Sequence, residues 1–330
     1  MSEALARACR RTAEQATRWI LGQLKQDGSL GDEVTDVAAY YKLPMLLLLT
    51  GRNRDAHRVL DHVTAAFARN DGDFATEEEV ITADPILAGY PGTISGWIGL
   101  AALRAGRFDI AMPAYGHLCR YHEPSSGGAT LAGPRGGVDD PVELLMTAQL
   151  GYAALYFGEH ARARGCGKAL GELVAAQPAL DQRLLLRRGR DGRFIEAGKD
   201  DAAFLRAVEV GRPDQAFSFV GHPIAFLTQL YRATGDGAAL DAARRYAGFA
   251  LDCGDALAAS HFAHAVGWGM ALLHRATGDS RHRALAEAIA EQLIDAQGDD
   301  GGWLEDDPLV TRLDQSAEAA IWLTEMSAIL

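Results

Sequence analysis

The chain has 330 residues, 48% of them hydrophobic and 23% charged, so it can bury a large core and is neither disordered nor fibrous. Lys and Arg number 32 against 44 Asp and Glu, a formal charge of −12 that works against a grip on phosphate backbones or anionic lipid, so no nucleic-acid or membrane-surface partner is expected. Its most apolar run, Leu43 to Leu49, is far shorter than the roughly 20 residues of a spanning helix. Met1-Ser2-Glu3, followed by Arg7, Arg10 and Arg11, reaches no apolar signal region, which makes the cytoplasm the expected location. Cys9, Cys119, Cys166 and Cys253 have no Cys-x-x-Cys spacing and suit neither a disulfide framework nor a four-thiolate zinc site.

Apolar residues recur at helical spacing almost throughout, and the class is all-α. In chain order the predicted helices alternate between two kinds. Amphipathic ones cover about 4–25, 53–69, 108–121, 160–176, 237–252 and 280–297. Helices apolar nearly all round cover about 36–50, 94–105, 141–157, 217–234, 260–277 and 313–328. Five of the apolar helices stop at a glycine suited to a left-handed cap: Gly51, Gly106, Gly158, Gly235 and Gly278. Two of these turns, Tyr231-Arg-Ala-Thr-Gly-Asp236 and His274-Arg-Ala-Thr-Gly-Asp279, repeat nearly the same sequence. A helix apolar on every side must be enclosed, and one with a single apolar stripe can cover it. The expected architecture is therefore one (α/α)6 barrel or toroid domain over residues 1–330, six inner helices wrapped by six outer ones. The long loops, around 71–93, 122–140 and 177–215, precede inner helices and place the expected site at the inner helices' N-terminal ends.

Several polar residues fall at that end. Asp139 and Asp140 precede Pro141: they read either as a helix N-cap with its first-turn proline, or as a carboxyl pair in which one member donates a proton while the other stays ionised. His222 opens one inner helix, and His261 and His264 share a face of the next, suiting acid–base work near neutral pH. Asp314 and Glu318 lie one turn apart at the start of the last inner helix, and Asp36 and Tyr40 repeat the spacing at the start of the first. Tyr90, Trp97, Phe219 and Trp268 are the candidate substrate-contacting aromatics; each also reads as packing. The arginines between Arg183 and Arg193 read mostly as surface. No dinucleotide, Walker, Gly-x-Ser-x-Gly or His-Glu-x-x-His motif occurs, and neither a cofactor nor a metal is expected.

Three loops, Gln26-Asp27-Gly28-Ser29-Leu30-Gly31, Arg190-Asp191-Gly192-Arg193-Phe194 and Gln297-Gly298-Asp299-Asp300-Gly301-Gly302-Trp303, resemble the Gly-rich aromatic repeats of the squalene cyclase and protein prenyltransferase superfamily. Gly137-Val138-Asp139-Asp140-Pro141 is similar to the Asp-x-Asp-Asp-Thr start of the helix that bears the proton donor in class II terpene cyclases, with Gly137 and Pro141 in place of the first aspartate and the threonine. The resemblance implies the helical toroid and, for Asp139, the donor role. Lanthipeptide cyclases, sugar epimerases and unsaturated uronyl hydrolases share the topology. The leading expectation is a cofactor-independent cyclase or isomerase, terpene cyclase-like, that converts a largely apolar small molecule in biosynthesis. It would use Asp139 or Asp140 as acid and His222, His261 or His264 as base. A carbohydrate-active (α/α)6 enzyme, either sugar epimerase or uronyl hydrolase, and a non-catalytic helical scaffold are the alternatives.

Overall fold

The computed structural model describes residues 3–31, 34–76, 90, 92–131, 133, 140–196 and 206–330. Its helices in chain order are α1 (Glu3–Gln23), α2 (Leu43–Leu49), α3 (Asn53–Phe67), α4 (Gly92–Arg104), α5 (Phe108–Leu118), α6 (Leu144–Tyr156), α7 (His160–Ala175), α8 (Ser218–Thr234), α9 (Gly237–Asp252), α10 (Gly254–Ala258), α11 (His264–Thr277), α12 (Ser280–Asp295) and α13 (Leu309–Ile329). None of them is long and apolar enough to cross a membrane. The chain divides into two compact units, one of residues 1–5, 121–293 and 328–330, the other of residues 6–120 and 294–327.

In the 6–120/294–327 unit, α2 packs on α3 and α4, and α4 packs on α5. The apolar helices are enclosed: Ile98, Ala101 and Ala102 of α4 and Ala317, Ala319, Ala320 and Leu323 of α13 have no accessible surface. In the 121–293 unit, α8 lies against α6, α9 and α11, with α7 packed on α6 and α9. Two short antiparallel ladders join its loops, β1 (Val142–Glu143) with β3 (Arg187–Arg188) and β2 (Arg183–Leu185) with β4 (Ala207–Glu209). Gly51, Gly106, Gly158, Gly235 and Gly278 all have φ between 73° and 79°, the left-handed conformation expected of these caps.

Four inner helices depart from their predicted starts; the one expected over 260–277 is a 3-10 turn at His261–Ala263 followed by α11, so His261 lies ahead of the helix that His264 opens. The expected helix over 36–50 is a 3-10 turn at Val37–Ala39 followed by α2, because Pro44 lacks the N–H that a helix running through it would need. Residues 142–143 form β1 instead of a first helical turn, and Glu143 is the N-cap of α6, its Oε2 accepting from Met146 N at 2.7 Å. The N-cap of α6 is thus Glu143 and not Asp140, because the helix begins later; Asp139 lies outside the described residues. The last inner helix starts at Leu309, so Asp314 sits in its second turn and is not a cap either.

One hairpin turn recurs. Lys25, Arg69, Gly189 and Gly298 each donate their N–H to the carbonyl four residues on, at 2.7–2.8 Å, and a glycine three residues on (Gly28, Gly72, Gly192, Gly301) donates back at 2.9–3.1 Å. An aspartate two residues on (Asp27, Asp71, Asp191, Asp300) accepts from the fifth residue's N–H. This is a type I turn closed by a left-handed glycine. The copy at Asn70-Asp71-Gly72-Asp73-Phe74 lies at the start of a segment the sequence presented only as a long loop. Two of these glycines lie tightly against helix backbone: a Cβ at Gly28 would stand 2.2 Å from the Arg58 carbonyl oxygen of α3, and one at Gly72 2.2 Å from that of Pro113 in α5. Gly72→Ala, with both a left-handed φ and no room, should lower the urea midpoint by the equivalent of more than about 1 kcal/mol. Gly248→Ala, on a stretch of α9 where nothing lies within 4 Å, should raise it by about 0.5–1 kcal/mol.

The related turn at 123–128 is held by Glu123, whose carboxylate accepts from Ser125 N and Oγ, Ser126 N and the Arg190 guanidinium. Burial opposes its charge, but the Ser126 and Ser125 hydrogen bonds bring its pKa down to about 2 from an ordinary 4.5. A carboxyl depressed in the folded state stabilises above its unfolded pKa and loses that contribution as pH falls through the folded one. Glu123→Gln should therefore melt lower than the native chain at pH 7, and the gap should close between pH 4.5 and about 2.

Candidate functional site

In the 6–120/294–327 unit the polar residues gather on α13. At about 100° per residue, Asp314, Gln315, Glu318 and Trp322 fall on one arc of the helix. They keep 3, 7, 7 and 6% of their surface, while Leu313, Ala317, Ala319, Ala320 and Leu323 around the remaining arc keep none. On α4, Thr93, Ile94 and Trp97 form a similar arc with 5, 6 and 8% exposure. The two arcs meet where the Trp97 and Trp322 rings lie 5.6 Å apart, and Tyr41 stands edge-on to Trp97 at 6.5 Å. The residues of this aromatic and acidic face are buried but not completely so.

The residue that organises this face was not singled out from the sequence. Lys42, 4% exposed, places Nζ 2.8 Å from Asp314 Oδ1 and hydrogen-bonds Glu318 Oε2. Glu318 Oε1 accepts from Trp322 Nε1 at 3.2 Å, and Asp314 Oδ2 from Gln315 Nε2 at 2.8 Å. Burial alone would lower the Lys42 pKa, but the Asp314 and Glu318 carboxylates outweigh it and hold the ammonium above its ordinary value. The available signal was the single charge in Val37-Ala-Ala-Tyr-Tyr-Lys42-Leu-Pro-Met-Leu-Leu-Leu-Leu49, since a lysine in such a run must find carboxylate partners.

Asp36 and Tyr40 do not share a helical turn. Asp36 Oδ1 caps the 3-10 turn through Ala38 N (2.9 Å) and accepts from Thr76 Oγ1 (3.0 Å). The buried Tyr40 hydroxyl donates to Val34 O (2.8 Å) and accepts from Leu30 N (3.0 Å). Both tie loops together. Tyr90 is fully buried.

In the 121–293 unit, His222 of α8 lies edge-on to Trp268 of α11 at 6.5 Å, and Tyr152 of α6 meets the same indole at 5.5 Å. His261 and His264 stack edge to face at 5.7 Å at the entry to α11, the second buried and the first half-buried. Gly221 and Gly269 let α8 and α11 touch through backbone: a Cβ at Gly221 would lie 2.2 Å from the Ala265 carbonyl carbon. That contact fixes the spacing of the adjacent His222 and Trp268. Phe219 is 1% exposed. Asp140 is half-buried, and its Oδ2 is enclosed with no hydrogen-bond partner among the described residues; Asp139 lies outside them. Among the described residues no group of three or more His, Cys, Asp or Glu side chains is placed to hold a metal ion. Burial pushes the Cys253 thiol up to about 12, which makes it a poor nucleophile.

No family model matches the sequence, and no curated protein matches it. Solved structures do. D-mannose isomerase superposes with a TM-score of 0.69 at 11% identity over 100% of both chains. The GH76A α-1,6-mannanase from Salegentibacter sp. HEL1_6 gives 0.63 at 15% identity over 97% of this chain and 99% of its own. A type II terpene cyclase from Scytonema, solved with geranylgeranyl dihydroxybenzoate, gives 0.58 at 12% identity over 100% of both. All are (α/α)6 toroids, and this chain has that fold. These neighbours are enzymes, of hydrolase, isomerase and cyclase type.

The Lys42 cluster makes a sharp stability prediction. Removing one member of a buried ion group strands the others' charge and typically costs about 3–5 kcal/mol, whereas replacing the whole group is often near neutral. Lys42→Met should therefore lower unfolding free energy by about that amount, and Lys42→Met with Asp314→Asn and Glu318→Gln should recover most of it, as read by urea denaturation.

Proposed function

We propose that this protein is an enzyme working by acid–base chemistry on a hydroxylated, ring-forming small molecule of the carbohydrate kind, most simply as an aldose–ketose isomerase or epimerase. The observation that carries this reading is the face shared by α13 and α4, where two indoles stand beside the Asp314 and Glu318 carboxylates paired with Lys42. Indole rings offer flat apolar faces to a sugar ring, and ionised carboxylates accept from its hydroxyls. The likeness to D-mannose isomerase and to an α-1,6-mannanase accords with this choice.

Isomerisation moves a proton between neighbouring carbons, which calls for a group that changes protonation near neutral pH. Small molecules are the proposed partners, without a nucleotide cofactor.

A second reading keeps the terpene cyclase-like expectation, with Asp139 or Asp140 as proton donor to a largely apolar substrate. It is favoured by the enclosed Asp140 Oδ2, which has no hydrogen-bond partner among the described residues and could meet a ligand.

The deciding measurement incubates the protein in D2O with D-mannose, with α-1,6-mannobiose, and with a geranylgeranyl-bearing aromatic acid, and follows each by NMR. The expected outcome is sugar interconversion with solvent deuterium entering the carbon skeleton. Turnover of the prenylated acid alone, abolished by Asp140→Asn, would replace the first reading by the second.

A further inference from the structure

The α13 face holds two carboxylates within reach of one ammonium, and their hydrogen bonds divide the work between them. Lys42 carries three N–H donors and no acceptor, and it contacts one oxygen of Asp314 and one of Glu318. The second oxygen of each carboxylate accepts from a neutral N–H, Trp322 Nε1 on Glu318 and Gln315 Nε2 on Asp314. All four oxygens thus face a donor. Of the two side chains Glu318 is the more exposed, 9% against 3%. Asp314 lies deeper, so it serves chiefly to compensate the ammonium.

We propose that Lys42 is the positioning residue of this site: it keeps Glu318 ionised and fixed against Trp322, so that Glu318 meets substrate as a hydrogen-bond acceptor and not as a proton donor. The inference rests on the reading above that substrate binds at the α13 face, and it adds a selectivity that reading lacks. A fixed ionised acceptor takes a hydroxyl or an ammonium and repels a carboxylate or phosphate, so neutral sugars are favoured over sugar acids and sugar phosphates.

The surrounding charges do not take over this role. On α13 itself Arg312 pairs with Asp300 at 2.7 Å and stacks on Trp19, while Glu325 faces Arg104 of α4 at 4.0 Å. Asp36, ahead of Lys42 in the chain, is engaged by Ala38 N and Thr76. Lys42 sits above its ordinary pKa despite complete burial, in keeping with a permanent ammonium. Arginine is not equivalent to it, because a planar guanidinium directs its N–H groups as a fork whereas an ammonium is a compact point charge.

The indole bonded to Glu318 supplies a readout that needs no substrate. Tryptophan emission is followed against pH in the native chain, in Lys42→Met, in Lys42→Met/Glu318→Gln and in Lys42→Met/Trp322→Phe, with circular dichroism confirming folding at each pH. The native chain should show no Trp322-dependent step above about pH 5, because Glu318 stays ionised there. Lys42→Met should acquire one between about pH 5 and 8, as a buried carboxyl without its cation takes up a proton. Both double variants should lose it. If Lys42→Met does not fold, Lys42→Met/Asp314→Asn removes one stranded carboxylate and leaves Glu318 to titrate. A folded variant lacking Lys42 with no step overturns the positioning role.

D-mannose, D-mannose 6-phosphate and D-mannuronate are then added to the native chain and to Glu318→Gln. Emission should respond to D-mannose at least tenfold more tightly than to either anion, and Glu318→Gln should weaken that preference. A pH step without any sugar response overturns the substrate reading alone. A sugar response without a pH step overturns the Lys42 role alone.

Discussion

Backbone-to-backbone contact is the constraint on which the rest of this structure depends. The turn glycines at 28, 72 and 301 each lie against a carbonyl of an amphipathic helix, that of Arg58, Pro113 and Gln15, closely enough that a Cβ would stand 2.2, 2.2 and 3.0 Å from its oxygen. A side chain would hold the loop off the helix and leave buried polar backbone without a close neighbour. The turn is short and rigid because an aspartate closes it from inside. The chain therefore enters its next element at a fixed angle, and Leu30, Phe74 and Trp303, each following such a turn, are pressed into the core at 6, 4 and 1% exposure.

Rigid entries allow the inner helices to be apolar without being featureless. On the buried stretch Leu313–Leu323 of α13, Asp314, Gln315, Glu318 and Trp322 share one arc. Charge is tolerated there because the ammonium has two carboxylates, and Glu318 and Asp314 also accept from Trp322 and Gln315. Such a group contributes little net stability against an apolar replacement, since desolvation consumes most of the attraction.

The α8–α11 crossing applies the same backbone rule in the other unit. Gly221 and Gly269 let the helix backbones touch, and the residues beside them, His222 and Trp268, inherit a spacing that no loop movement can alter. Catalytic groups carried on packed helices hold their geometry better than groups on loops. The same reasoning accounts for chemistry as different as glycoside hydrolysis, sugar isomerisation and cyclisation on toroids of about this size, where the frame is common and the inward-facing residues differ.

The all-α class, the alternation of apolar and amphipathic helices and the five left-handed glycine caps were legible in the sequence, because helical periodicity and a positive φ leave local signatures that distant contacts seldom override. Asp314 and Glu318 could be named for the same reason, a carboxylate one turn along in an apolar helix being costly wherever that helix packs. What met them could not be named. Lys42 lies more than 270 positions away in the chain and reaches Glu318 only because tertiary packing brings the start of α2 beside α13. Asp36 and Tyr40 had a spacing that suggested a shared helical face, but Pro44 delays the helix and the loops claim both side chains. Local sequence thus determined which segments are helices and where they end. Which buried charges found partners depended on contacts between remote segments, which no local pattern records.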